Sequence, residues 1–183
     1  LASIFREDRP LQMSTRRGQY ITLREVLDEV GHDASRFFFL MRRTQSHLDF
    51  DLALAKKQTP ENPVYYVQYA HARICSVLEN SAVKLKSKNM DLTLLKEKEE
   101  RELIKKLLQF PDVLNICFAT QDPYMLTVYL QELAENFYRF YDRHRVLSED
   151  DLLTKARLAI VNAVKIVIAS WLKLLGVSRP EKM

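Results

Sequence analysis

Three stretches of this 183-residue chain carry residue types that could do chemistry. The first is Gln12-Met13-Ser14-Thr15-Arg16-Arg17-Gly18, where hydroxyls, a glycine and two guanidinium groups stand together. Backbone N–H groups, hydroxyls and arginines are what wraps a phosphate. Taken alone, the same residues equally describe a solvent-exposed basic loop. The second is Asn136 to Val146, where Phe137, Tyr138, Phe140 and Tyr141 are interleaved with Arg139, Arg143, His144 and Arg145. Aromatic faces stack on unpaired bases, and arginines hold phosphate or stack on base planes. Phe137 and Phe140 continue an apolar stripe and read as core. Tyr141 and Arg145 are four apart, which predicts a ring beside a cation on one helical face, with ordinary rim packing as the competing reading. The third is the tyrosine-rich Tyr65-Tyr66-Val67-Gln68-Tyr69-Ala70-His71. Its lone histidine reads as a hydrogen-bonded packing residue before it reads as a catalytic base.

Catalysis confined to this chain finds little support. There is no Gly-x-Ser-x-Gly elbow, Walker loop or dinucleotide fingerprint. His32, His47, His71 and His144 are scattered, and no Cys-x-x-Cys or His-x-x-x-His spacing exists, so no metal site is expected. Cys75 and Cys117 each sit among apolar neighbours and read as buried free thiols in a reducing compartment.

The elements that must position these residues are helical. Three glycines and six prolines in the whole chain leave room for long helices and argue against a many-turned sandwich or barrel. The 47% apolar and 28% charged content is that of a packed domain, not a disordered one. A net charge of +4 is compatible with a polyanionic partner without requiring one. Thr22 and Glu25 form a capping box for a helix that Gly31 closes, and a second helix is expected from about Asp33. Asp49 to Lys57 reads as a third short helix, and Gln19 to Thr22 as a short β-rich piece. Pro60 and Pro63 mark the best domain boundary.

From Val64 onward, five helices are expected to form an antiparallel bundle. Val67, Ala70, Ile74, Val77 and Leu78 line the first at helical spacing. Asp91 is expected to cap the second, with Leu95, Leu103, Ile104, Leu107 and Leu108 on its apolar side. Pro111 opens the third, which runs through Cys117 and Phe118. Asp122-Pro123 opens the fourth, with Leu126, Leu130, Leu133, Phe137 and Phe140. A Ser148-x-x-Asp151 box opens the last, which Gly176 ends. The Lys/Glu run from Lys84 to Lys106 reads as a solvated face with i,i+4 pairs, a nucleic-acid stripe being the sharper alternative. Leu158 to Leu175 is the most apolar stretch, but Asn162, Lys165 and Lys173 interrupt it, so a core helix is expected and no membrane span. The chain begins Leu-Ala-Ser and reads as a piece of something longer, without a signal peptide.

At these residues the chain resembles the C-terminal part of the arginyl-tRNA synthetases, a class I aminoacyl-tRNA synthetase family. Gln12 to Arg16 is similar to that family's form of the Lys-Met-Ser-Lys-Ser signature, and Gly18 and Thr22-Leu23 follow it. Then come Gly31-His32-Asp33-Ala34-Ser35-Arg36-Phe37, Ser46-His47-Leu48-Asp49-Phe50-Asp51, the run Asn62 to Arg73, and the ending Leu174 to Met183. The run Asn62 to Arg73 is the most specific of these. The resemblance implies that residues 1–22 are the tail of a Rossmann-type catalytic domain, 23–60 a helical stem-contact connector, and 61–183 an all-α anticodon-binding domain of the DALR type. It implies a full-length cytoplasmic enzyme, monomeric, that joins arginine to tRNA(Arg) with ATP and Mg. Gln12, Met13, Ser14, Thr15, Arg16 and Arg17 would attend the ATP phosphates. Gln12 and Thr15 depart from the signature by removing both of its ammonium charges, which leaves Arg16 or Arg17 to supply cation. The His-Ile-Gly-His type motif and an arginine pocket do not occur in the chain, so this piece alone is expected to need no cofactor and to activate no arginine. The resemblance also implies Arg73, Tyr141, Arg145 and Met183 as anticodon-binding residues: Tyr141 stacking on a base, Arg145 stacking or holding phosphate, Arg73 touching a base or its backbone, and Met183 offering side chain and carboxylate.

Overall fold

A computed structural model describes residues 2–6, 9–11, 20–43, 45–83 and 90–183. The phosphate-type loop Gln12 to Gly18 and Lys84 to Lys88 of the Lys/Glu run therefore lie outside the described residues. Strand β1 (Ala2–Arg6) pairs antiparallel with β2 (Arg9–Pro10) and parallel with β3 (Leu48–Asp51), giving the order β2-β1-β3. Tyr20 to Thr22 form no strand. Leu48 to Asp51 is a strand and not the start of a helix. Its Leu-Asp-Phe-Asp alternation has a period of two, which puts Leu48 and Phe50 into the core and exposes Asp49. Only Leu52–Lys56 is helical (α3), with Asp51 accepting hydrogen bonds from the N–H groups of Ala53 and Leu54 at its start.

Helix α1 (Leu23–Val30) opens on the expected box: Thr22 Oγ1 accepts from Glu25 N at 3.2 Å, and Glu25 Oε2 accepts from Thr22 N at 2.6 Å. Gly31, at φ 83°, ends it and starts α2 (His32–Leu40), a left-handed turn that a residue with a Cβ resists.

Five longer helices follow: α4 (Pro63–Glu79), α5 (Lys98–Leu108), α6 (Phe110–Thr120), α7 (Tyr124–Arg143) and α8 (Asp151–Leu175). The core stripes fall where periodicity placed them. Val67, Ala70 and Ile74 of α4 and Leu130, Leu133, Phe137 and Phe140 of α7 are fully buried. One contiguous core runs from Val26 and Phe50 through α4 and α7 to α8 and Val177, and Ile4 and Leu11 pack against it.

Several caps differ from expectation. Asp91 caps a 3-10 turn over Leu92–Leu94, while α5 starts later on a Glu97/Glu100 box. Asp150, not Ser148, caps α8, because its carboxylate reaches the N–H groups of both Leu152 and Leu153. Leu108, expected on an apolar face, stands out into solvent, as does Phe118. Cys117 is buried, but Cys75 is only half-buried. Nor is the Lys/Glu run wholly a solvated face. Lys98 and Glu102 form such an i,i+4 pair, but Glu99 and Glu100 turn inward to partners supplied by α7, the turn after it, and α8.

Helix α8 is long and apolar enough to cross a membrane. It nevertheless packs against α4, α5 and α7, and its Arg157 is buried against Glu100 with Nε 2.7 Å from Oε1. A buried ion pair at that depth suits the interior of a bundle.

Candidate nucleic-acid interface

Helix α4 repeats every 3.6 residues, so Tyr65, Tyr69 and Arg73 stand one above another along one edge. The Tyr65 and Tyr69 rings lie near-parallel with centroids 5.8 Å apart. Arg73 Nη2 donates to the Tyr69 hydroxyl at 2.6 Å, and the Arg73 Cζ lies 5.0 Å from the Tyr69 ring centroid. It also lies 5.0 Å from the centroid of Tyr141, on α7. The guanidinium is thus held over two ring faces, an attraction between cation and ring quadrupole. The Tyr69 hydroxyl pushes the Arg73 pKa up further still, so the group stays charged.

Tyr141 is half-buried, its ring centroid 5.6 Å from that of the fully buried Phe137. The core thus braces the ring, the Arg73 guanidinium lies over it, and the rest of it lines the cavities described below. Beneath it, Tyr138 donates from its hydroxyl to the Tyr66 carbonyl at 3.1 Å. Burial pushes the Tyr138 hydroxyl well above the ordinary tyrosine range, so it serves packing and no proton transfer near neutrality.

Arg145 does not share a helical face with Tyr141. Helix α7 ends at Arg143, and His144 is extended (φ −130°, ψ 132°), so the i,i+4 argument stops two residues short. The turn that follows is nonetheless firmly built. His144 Nε2 lies 3.0 Å from Glu99 Oε2, Arg143 pairs with the other Glu99 oxygen, and Arg157 Nη1 donates to the Arg145 carbonyl at 2.8 Å. Hydrogen bonds from His144 first, then from a backbone N–H and from Arg143, hold the Glu99 carboxyl down to about 2 against the opposing effect of burial. Arg145 itself is exposed.

The chain end completes the arrangement. Gly176 takes the left-handed C-cap (φ 68°), Val177 is buried, and His71 Nδ1 meets the Pro180 carbonyl at 2.9 Å. His71 is therefore the hydrogen-bonded packing residue the sequence suggested. The tail then reaches a cavity of about 710 Å³ lined by Tyr69, Arg73, Tyr141 and Met183. Tyr141 also forms a wall of a neighbouring cavity of about 540 Å³, which Arg143 and Arg145 line. All four residues expected at an anticodon site are thus gathered around the Tyr141 ring, although they are up to 110 positions apart in sequence.

Tyr69 belongs to the same cluster but is not among the four residues expected at an anticodon site. The signal was available, since Tyr69 stands four residues before Arg73. Among the described residues no group of three or more His, Cys, Asp or Glu side chains could hold a metal ion.

Residues 67–183 match the DALR anticodon binding domain. The chain belongs to that family. It is also similar over its whole length to proteins named arginine–tRNA ligase: 48% identical to that of Citrifermentans bemidjiense, of which it covers 34%. Over 94% of its length it is 52% identical to that of Dehalococcoides mccartyi, of which it covers 31%. The chain thus spans about a third of the length of these curated relatives. Among solved structures, a crystal structure of an arginyl-tRNA synthetase from Campylobacter jejuni superposes with a TM-score of 0.85 at 30% identity, covering all of this chain and 40% of that one. The Thermus thermophilus arginyl-tRNA synthetase gives 0.74 at 28% identity, covering 92% and 29%. The DALR match begins within α4 and takes in every helix that lines the cavities around Tyr141.

Proposed function

We propose that this chain is the tRNA-binding end of an arginine–tRNA ligase, and that the Tyr141 site receives the unpaired anticodon loop of tRNA(Arg). The observation that carries the reading is the Arg73 guanidinium seated between Tyr69 and Tyr141 at the mouth of an open cavity. A braced, half-exposed ring lining two cavities offers stacking to a base that takes the place of, or extends, the Arg73 contact, and the cation offers charge to phosphate or a base edge. Arg145 supplies a further cation in the neighbouring cavity that Tyr141 also lines, and Met183 an apolar side chain in the first.

The longer enzyme would attach arginine to this tRNA with ATP and Mg as a cytoplasmic monomer. In it, residues 1–22 would close the catalytic domain, 23–60 would contact the stem, and 61–183 would read the anticodon. Gln12, Met13, Ser14, Thr15, Arg16 and Arg17 would then attend the ATP phosphates, with guanidinium replacing ammonium as the stabilising charge. The isolated chain, lacking the rest of the catalytic machinery, would show no ATP–pyrophosphate exchange.

A gel shift with arginine tRNA, intact and with its anticodon loop removed, tests the central reading. Binding should need the loop and weaken as salt rises. Tyr141→Ala should weaken binding to arginine tRNA more than to an anticodon-swapped tRNA, and equal losses on both would count against base readout there. A role purely in protein association would instead use the outer face of α6, where Phe118 is 87% exposed and Leu114 40%. Neither residue lines the Tyr141 cavities.

A further inference from the structure

The last eight residues have no secondary structure of their own, yet they are held along α4 by side chains from two parts of the chain. Arg36 of α2 donates from Nε to the Leu175 carbonyl, at the C-terminal end of α8. Two residues beyond the cap, Asp33 of α2 receives Ser178 twice: the backbone N–H on Oδ1 at 3.0 Å, and the hydroxyl on Oδ2. Gln68, 8% exposed on α4, fits its amide between the same partners, with Nε2 2.9 Å from Asp33 Oδ2 and 3.0 Å from the Ser178 carbonyl. His71 then takes the Pro180 carbonyl. Three residues later the tail ends at the cavity with Arg73 and Tyr141.

We infer that Asp33 is a positioning residue for the Tyr141 site. Through Ser178 it fixes the register of the C-terminal tail, and so places Glu181, Lys182 and Met183 against Arg73 and Tyr141. The inference rests on the anticodon reading of that site. The reason is geometric. An extended tail carries no hydrogen bonds of its own, so its register is set by whatever its backbone groups meet, and a slip of one residue turns each side chain away. A carboxylate taking both the N–H and the hydroxyl of one serine defines that register, because only position 178 among the last six residues offers the pair. The clamp is contributed by α2, which lies outside the matched DALR region. A site that looks confined to the bundle is therefore completed by the segment before it.

The test uses the full 183-residue chain. In Asp33→Ala, amide hydrogen exchange at Ser178 should accelerate by about tenfold or more, as expected for a local opening. Exchange at Val177, whose N–H goes to the Leu172 carbonyl, should not change. Asp33→Asn, which keeps an acceptor for the Ser178 N–H, should restore much of the protection. General destabilisation would move both amides together, and unchanged exchange at Ser178 would overturn the clamp. Binding of an arginine-tRNA anticodon stem-loop should weaken roughly fivefold to tenfold in Asp33→Ala, in keeping with loss of preorganisation. The same substitution should add nothing in a variant ending at Pro180, where Glu181, Lys182 and Met183 are no longer there to be positioned. A loss that persists in that variant, or a freed tail with unchanged binding, would overturn the positioning role alone. Failure of the parent chain to bind the stem-loop would overturn the anticodon reading and this inference with it.

Discussion

The Arg73 guanidinium and the Tyr141 ring face each other across the seam between α4 and α7, 5.0 Å from Cζ to ring centroid. Neither helix makes the site alone: one brings the cation, the other the ring. The pair separates two contributions that substitution can resolve. Arg73→Lys keeps charge but loses the planar group that lies over both tyrosines and the directed N–H to the Tyr69 hydroxyl. It should retain the salt dependence of RNA binding while losing affinity. Arg73→Ala should also lower the slope of log affinity against log salt if the arginine neutralises a phosphate, by about 0.7 for a single-stranded contact. Titrations at several salt concentrations measure both.

Tyr141→Phe should bind anticodon stem-loop nearly as well as the parent, because stacking uses the ring face and not the hydroxyl. Tyr141→Ala should lose about 1–3 kcal/mol, the usual worth of a base–aromatic stack. Equilibrium binding with fluorescently labelled RNA distinguishes the two. Equal losses in both variants would transfer the role from the ring to the hydroxyl.

Glu99 links the turn carrying Arg145 to acid stability. Its carboxyl, held at about 2 first by His144 and then by its other partners, including Arg143, titrates below the ordinary value of 4.5. The unfolded chain therefore takes up a proton at higher pH than the folded one. The stabilisation is fully present above about 4.5 and is lost as pH falls toward 2. Thermal melts of Glu99→Gln between pH 5 and 2 should show a shallower fall than the parent, starting from a lower melting temperature at neutral pH.

Arg157 and Glu100 form the buried pair behind the same turn. Glu100 is fully buried, and Arg157 8% exposed. Arg157→Ala leaves the carboxylate inside without its cation and frees the Arg145 carbonyl, so it should cost about 3–5 kcal/mol in urea denaturation. Replacing both residues by apolar side chains of similar volume should cost much less, although the turn after α7 would lose its anchor.

Trp171, 1% exposed, carries a buried indole N–H with no hydrogen-bond partner among the described residues, while its ring packs against Phe110 and Tyr129. Trp171→Phe removes an unsatisfied donor together with some volume, and these effects oppose each other. The net cost should be about 1 kcal/mol, against about 3–5 kcal/mol for Trp171→Ala. Calorimetry on the two variants tests the difference.

Local physics made most of the helical framework legible. Thr22 with Glu25, Gly31, Asp122-Pro123 and Gly176 act within a turn of where they stand, so their types alone place helix ends. The apolar stripes of α4 and α7 declare their buried faces by spacing. What escaped was set by partners distant in sequence. Leu48 to Asp51 became a strand because β1 lies beside it. Glu99 and Glu100 left the solvated face because His144, Arg143 and Arg157, all distant in sequence, pair with them. Arg145 lost its helical relation to Tyr141 when α7 stopped at Arg143.

The interface shows the same division. Tyr141 and Arg145 could be read from their residue types as a ring and a cation suited to RNA, while Arg73 and Met183 were named only by the family resemblance. Their meeting was decided by the packing of α4 against α7 and by Asp33 taking hold of Ser178 from 145 residues away. Helix ends and amphipathic faces follow from contacts a few residues long. A site assembled from two helices and a chain terminus exists only once hydrophobic burial has brought those segments together.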